Sequence, residues 1–452
     1  MRIMSRFSHI FSSTQSFSRF SAIQHVILIS RLPVLLPLLG ATLYHNTFCR
    51  VVSATGEQVS SSVEDPSTTS YDIDAEGTAK MSSAEEFFSS FPRVIIGCWQ
   101  LLERDRNPEK AVETIVRYQQ SGFHYFDTAD IYGPSEELLG HARAVLEDAV
   151  LEQQKTGTEN NSTGEGAVAP FHVFTKYVPS NIRESADRIN TQSRKALFGK
   201  SKIKGTHAEN LPPLELVQFH WWDFDDGGHI AHAKELMRLQ GQQKIRHLAV
   251  TNFDVKHLQQ LIDVQYPVTV NQVQFSLLDR RAENGMLQLA KKQKFKLACF
   301  GSVAGGWLSE KYLNMPEDPM SQRSFRSGAT ISLQMYRSSL DSWGDWKLFQ
   351  ELLSTLDMVA KKYEKATIAM IAAWWVLQKL ETEAYGGAVI IGVRDPRHLE
   401  ETRRIRDGPA VKKVAEGGKN TFIAEEDMAT IAKVLAKGRM PVGEDIWSRE
   451  RG

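Results

Sequence analysis

Asp127, Tyr132, Lys176 and His220 are the residues whose types and order suit one chemistry, proton donation to a carbonyl oxygen. A carbonyl carbon that accepts a hydride leaves an oxyanion, and the best proton donor to it is a group whose pKa is brought toward the working pH. A tyrosine starts near ~10. A lysine ammonium beside the hydroxyl favours the phenolate, and a carboxylate beside the lysine keeps the ammonium charged and aimed. That makes Tyr132 the donor, Lys176 its modulator and Asp127 the anchor of Lys176. His220 then donates a hydrogen bond to the substrate oxygen and stabilises its developing charge. Taken singly, each has an ordinary explanation: Asp-Thr-Ala as a turn or cap, a lysine after a strand as a solvated charge. Their joint occurrence in chain order carries the argument.

These side chains need elements that bring them together. From about Arg93 the sequence alternates short apolar runs with amphipathic stretches, the texture of βαβ units. Eight strands are predicted: Val94–Trp99, His124–Phe126, His172–Thr175, Leu214–Phe219, His247–Val250, Val268–Val273, Lys296–Phe300 and Ala388–Ile391. Helical patterns lie between them, one opening at Asn107-Pro108 and stopping at Gly122, where proline in the first turn and glycine after the last suit helix geometry. No GxGxxG follows the first strand, so the fold class expected is α/β, a closed (β/α)8 barrel, rather than an open dinucleotide sheet. In such a barrel the C-terminal strand ends share one mouth. Asp127 follows Phe126, Lys176 follows Thr175 and His220 follows Phe219, while Tyr132 lies in the turn after the second strand.

The bulk properties are consistent with a small-molecule enzyme. The chain has 452 residues, 42% of them hydrophobic, with 54 basic and 54 acidic side chains, so no global field draws it to nucleic acid. Its three cysteines, Cys49, Cys98 and Cys299, form no CxxC or Cys/His cluster, so no metal site is expected. Residues 1–50 lack acidic side chains and are rich in serine and arginine, the composition of a cleaved segment for a plastid or mitochondrion. A membrane role is expected only if the apolar run Leu32–Tyr44 is retained, and that run is shorter than the ~20 residues a span needs. Residues 51–88 read as a disordered linker and 89–445 as the barrel. Two long insertions stand out: Gln153–Pro170, with a sequon at Asn160 and Asn161, and Glu310–Trp343, placed to cover the active face.

The segments Gly97-Cys98-Trp99-Gln100, Phe126-Asp127-Thr128-Ala129-Asp130-Ile131-Tyr132-Gly133, Phe174-Thr175-Lys176, Gln218-Phe219-His220-Trp221, Val250-Thr251-Asn252-Phe253, Asn271-Gln272-Val273-Gln274 and Ile390-Ile391-Gly392-Val393-Arg394 occur in this order. As a series it resembles the aldo-keto reductases, and His220-Trp221-Trp222-Asp223 with Phe300-Gly301-Ser302 looks like their plant and algal members. The resemblance runs from about residue 94 to 402 and implies the (β/α)8 fold, NADP(H) as cofactor and a small carbonyl compound as substrate. It implies that Thr251, Asn252 and Gln272 hold the nicotinamide carboxamide, and that Phe300 stacks on the ring where the family commonly has tyrosine. The run with Gly301, Ser302, Gly305 and Leu308 resembles the family's pyrophosphate loop, in which small residues let backbone amides approach phosphate. Arg394, Arg397 or His398 would pair with a 2′-phosphate, Glu401 would meet adenine, and Thr402 stands where asparagine is usual. Trp99 and Trp221 are expected to line a pocket for an apolar or aromatic substrate. The rival expectation is a cofactor-binding regulatory protein on the same fold, like its channel-associated members.

Overall fold

The computed structural model describes residues 72–73, 79–80, 83–102, 106–156, 170–201, 211–392, 396–409, 413–414 and 420–439. The chain divides into two units, Met1–Lys80 and Met81–Gly452. In the first, the described residues form only a short antiparallel pair, Asp72–Ile73 with Ala79–Lys80. The targeting segment expected over 1–50, with its apolar run, lies outside the described residues. Among those described, no helix is long and apolar enough to cross a membrane.

The second unit is the barrel. Its strands are β1 (Val94–Gly97), β2 (Tyr125–Asp127), β3 (His172–Tyr177), β4 (Leu214–Phe219), β5 (Ile245–Thr251), β6 (Val270–Gln274), β7 (Lys296–Phe300) and β8 (Gly387–Gly392). All neighbours are parallel, and β8 closes the ring on β1 in the register Val389↔Val94 to Gly392↔Gly97. Each predicted strand is therefore present, two with the expected bounds and the rest with ends displaced by at most two residues. Apolar runs buried on both sides, as parallel strands must be, made them legible.

The connecting helices start where their caps dictate. Before α2 (Pro108–Gln120) the Asn107 side chain accepts from the Glu109 and Lys110 amides, and Pro108 takes the position where its missing N–H costs nothing. The chain then turns at Gly122 with φ 85°. Helices α3 (Ser135–Thr156), α4 (Ala186–Phe198), α5 (His229–Gly241), α6 (Val255–Asp263) and α7 (Met286–Gln293) follow in alternation with the strands. The insertion expected from Gln153 begins as the last turn of α3, and its sequon lies outside the described residues.

Inside the ring, Ile95, Phe174, Leu216, Ala249, Val270, Ala298, Ala388 and Ile390 form one packed column. Its lower end is closed by an element that corrects the linker expectation. Ser83–Ser89 is a helix, α1, and Phe87 is 7% exposed within the barrel cluster, with Phe88 and Phe91 packed against it. Phe87 meets the His247 ring at 4.2 Å, and Tyr125 Oη donates to the Ser90 carbonyl at 3.0 Å. The surrounding polar, serine-rich stretch masked the three phenylalanines in the sequence.

The long segment after β7 contains two helices, α8 (Arg323–Gly328) and α9 (Ile331–Trp343), ahead of α10 (Trp346–Ala360) and α11 (Ile368–Glu383). It lies on the mouth side as expected. Trp307 Nε1 donates to the Leu333 carbonyl at 2.8 Å, and Ser332 Oγ donates to Gln100 Oε1 at 2.6 Å, so α9 grips the loops after both β7 and β1. After β8 come α12 (Leu399–Asp407), a second short antiparallel pair and α13 (Glu425–Leu435).

Candidate active site

The four sequence-identified side chains come from consecutive positions around the ring. Asp127 ends β2, Lys176 lies near the end of β3 and His220 directly follows β4. Tyr132 sits in a turn fixed by its own amide on the Ala129 carbonyl (3.1 Å) and by Ser135 N donating to the Tyr132 carbonyl (3.2 Å). Gly133, at φ 56°, takes the left-handed conformation that lets the chain leave the turn.

Lys176 Nζ donates to Asp127 Oδ2 at 2.6 Å and to the Thr128 carbonyl at 2.8 Å, and it lies 4.7 Å from the Tyr132 ring centroid. Burial works to discharge this ammonium, but Asp127 and then Tyr132 outweigh it and hold the Lys176 pKa above its usual value. Tyr132 departs from the sequence expectation. Burial raises its pKa by more than Lys176 lowers it, so in the unliganded protein the phenol is kept protonated. A protonated phenol is the form a donor requires.

Sequence reasoning gave no role to Gln218. Its Nε2 donates to Asp127 Oδ1 at 2.8 Å, and Gln272 Nε2 donates both to the same oxygen and to Gln218 Oε1, each at 2.6 Å. Both oxygens of Asp127 are therefore acceptors, one from two amides and one from the ammonium. Gln218 is 1% exposed. A second polar residue in a mostly apolar strand, Leu-Glu-Leu-Val-Gln-Phe, was the signal available in the sequence.

His220 is buried, its amide donates to the Tyr177 carbonyl at 3.0 Å, and its ring lies 4.6 Å from that of Trp222. Trp99, 41% exposed, lies 6.4 Å from the Tyr132 ring and overhangs the mouth as expected. Trp221 does not. It is 3% exposed, packs on Phe219 and His232, and donates its indole N–H to the Asp223 carbonyl. Trp222, 40% exposed, is the tryptophan of this pair that faces outward beside His220.

The residues expected to hold a cofactor are partly assembled. Thr251 Oγ1 and the Asn252 amide both donate to the Gln272 carbonyl, at 3.2 and 2.9 Å, with Asn252 held at φ 59°. The Gln272 amide nitrogen is committed to Asp127 and Gln218. Phe300 shares the inward side of β7 with Ala298 and packs on the barrel column. In the loop that follows, Gly301, Gly305 and Gly306 all have positive φ. A Cβ on Gly301 or Gly305 would meet the Tyr336 ring at 2.5 or 2.6 Å, so this cradle admits only glycine. Ser302 Oγ is buried and has no hydrogen-bond partner among the described residues, as expected where a polar ligand completes the bonding. Leu308 is fully buried, and its amide bonds to the Val303 carbonyl.

At the other end of the expected cofactor groove, Arg394 lies outside the described residues. Arg397 and His398 are exposed on a short 3-10 turn, with His398 Nδ1 3.8 Å from Glu401. Glu401 accepts from Thr367 Oγ1 at 2.6 Å. Thr402 is buried, and its hydroxyl bonds back to the His398 carbonyl.

A sequence model of the aldo/keto reductase family matches residues 93–415. The chain belongs to this family, whose members are oxidoreductases that reduce carbonyl compounds with a nicotinamide cofactor. It is 28% identical over 204 residues to flagellar radial spoke protein 5 of Chlamydomonas reinhardtii, a match covering 41% of this chain but only 37% of that protein. It is 23% identical to the NADH-specific methylglyoxal reductase of Escherichia coli, over 68% of this chain and 88% of that one. Among solved structures, an aldo-keto reductase from Klebsiella pneumoniae in complex with NADPH has the same fold, with a TM-score of 0.50 and 16% identity, covering 78% of this chain and 93% of that one.

Proposed function

We propose that this protein reduces an aldehyde or ketone to the alcohol with NADPH, Tyr132 giving the proton. The observation that carries the reading is the buried chain Asp127–Lys176–Tyr132, in which a salt bridge of 2.6 Å aims an ammonium at the phenol. The cofactor supplies the hydride. Tyr132 delivers its proton to the carbonyl oxygen as charge develops there, and Lys176 stabilises the phenolate left behind. His220 orients the oxygen, and Trp99 and Trp222 provide apolar surface beside it. Thr251, Asn252, Gln272 and the glycine cradle after β7 suit the carboxamide and pyrophosphate; Arg397 supplies positive charge for a 2′-phosphate and His398 a ring N–H beside it.

The test is NADPH oxidation by the full chain over a panel of aldehydes and ketones, with NADH in parallel. Replacing Tyr132 by Phe removes the proton donor and is expected to lower kcat by about 10²–10⁴-fold while NADPH still binds. Binding without turnover on the whole panel would sink the reading. It would favour the regulatory alternative, to which the similarity to a radial spoke protein lends weight. Residues 1–50 are proposed to direct the protein to an organelle, which a fluorescent fusion of that segment would check by its location.

A further inference from the structure

The turn that carries Tyr132 also holds a buried carboxylate that the proton-donor chain does not use. Asp130 Oδ2 accepts from the Val178 amide at 3.1 Å, and the Asp130 backbone amide reaches the Lys176 carbonyl at 3.5 Å. One residue thus joins the turn of Tyr132 to the end of β3, at Lys176 and at Val178 on either side of Tyr177. The other oxygen, Oδ1, is buried and has no hydrogen-bond partner among the described residues. A carboxylate in that position is poorly satisfied, and a proton on it is the natural remedy.

The charged and titratable groups around Asp130 are Glu136 at the start of α3, Lys176 and Tyr177 on β3, and Tyr132 on its own turn. Burial pushes the Asp130 carboxyl up to about 7, Glu136 adds to the rise, and the Val178 and Ile131 amides and Lys176 oppose it. The negative form in turn raises the Tyr132 pKa. Its bond to Val178 is charge-assisted and strong when Asp130 is ionised, and weaker when it is neutral.

We propose that Asp130 is a positioning residue for the Tyr132 proton donor: its carboxylate, through the Val178 amide, clamps the turn against the end of β3, and a proton on that carboxylate weakens the clamp. The proposal rests on the reading of Tyr132 as donor for its consequence in catalysis, but its physical core does not need turnover. With Asp130 ionised, Tyr132 is held in place and kept protonated for reduction. With Asp130 neutral, the turn loosens and the transition state is met less well.

The full chain, labelled with ¹³C at the aspartate carboxyl and tyrosine ring carbons bearing oxygen, is titrated by NMR without cofactor, with Asp130→Asn and Tyr132→Phe assigning the two signals. The Asp130 carbon is expected to move with a midpoint near 7, and the Tyr132 carbon to take a step at the same pH while its phenol remains protonated. Asp130→Asn should abolish the step and Asp130→Glu should restore one. In turnover, wild-type kcat for reduction is expected to fall roughly threefold to tenfold between pH 8 and 6 with KM little changed, and the Asn variant to show no such limb. An Asp130 midpoint in the ordinary carboxylate range, or a Tyr132 signal indifferent to Asp130, overturns the proposal. If Asp130→Asn does not fold, coincidence of the two wild-type midpoints supports it and their separation overturns it. If no carbonyl is turned over, the carboxyl and phenol titrations still decide about Asp130, while the reductase reading fails by itself.

Discussion

Asp127 accepts two amide hydrogens on one oxygen and an ammonium on the other, so its orientation is set by Gln218 and Gln272 as much as by Lys176. Replacing Gln218 by Met keeps length and removes the donor. Loss of a hydrogen bond to a charged group is worth ~1.5–3 kcal/mol, so kcat is expected to fall about tenfold or more, with the KM for the carbonyl little changed. A Met variant with wild-type kcat would make Gln218 a packing residue only. Asp130 makes a second residue-level prediction, this time for stability. Its folded value of about 7 lies above the ordinary 3.8, so the native protein binds the extra proton between those values and loses stability as pH rises through that window. Asp130→Asn should therefore stabilise the fold by roughly 1–3 kcal/mol at pH 8 and by nothing at pH 3, as read by urea unfolding. A gain at pH 8 accompanied by slower reduction would show that this carboxylate is kept at the expense of stability. The candidate four were legible because each lies at the end of a strand or just after one. The direction of the Tyr132 shift was not, because burial depends on what folds over the mouth, and Trp221 and Trp222 could not be told apart without the course of the chain after β4.

Elements were read well where apolar runs recur and poorly where one short helix decides. All eight strands follow from their buried composition. Helix α1 hides in a polar stretch, and α9 lies inside a segment whose length alone suggested a covering loop. Phe87→Ala tests α1 directly: deleting a buried ring that closes the barrel column should cost about 2–4 kcal/mol in urea unfolding, whereas a linker residue would cost nothing measurable. A shortened form of this protein that begins at residue 85 would remove the first two residues of α1, the helix that presents Phe87, so truncations should start at or before Met81. For α9, the contact between Tyr336 and Gly305 is the sensitive point. Gly305→Ala places a methyl 2.6 Å from the Tyr336 ring at a residue with φ 62°, and is expected to weaken NADPH binding tenfold or more in a fluorescence titration. Unchanged binding would remove the cradle from the cofactor site.

At the scale of the molecule, the family match and the closed parallel ring agree, and the buried Asp127–Lys176–Tyr132 chain lies at the strand ends where this architecture gathers function. The closure has a temporal side. β1 pairs with β8, and nearly three hundred residues separate Ile95 from its partner Ile390. During synthesis at ~5–20 residues per second, the first strand emerges with one edge unpaired and waits on the order of tens of seconds for its last neighbour. The Ser332–Gln100 bond across the mouth waits almost as long. A nascent chain with an open, apolar edge is a substrate for aggregation, so this protein's yield in a cell should depend on chaperones that shelter strand edges more than on the stability of the finished barrel.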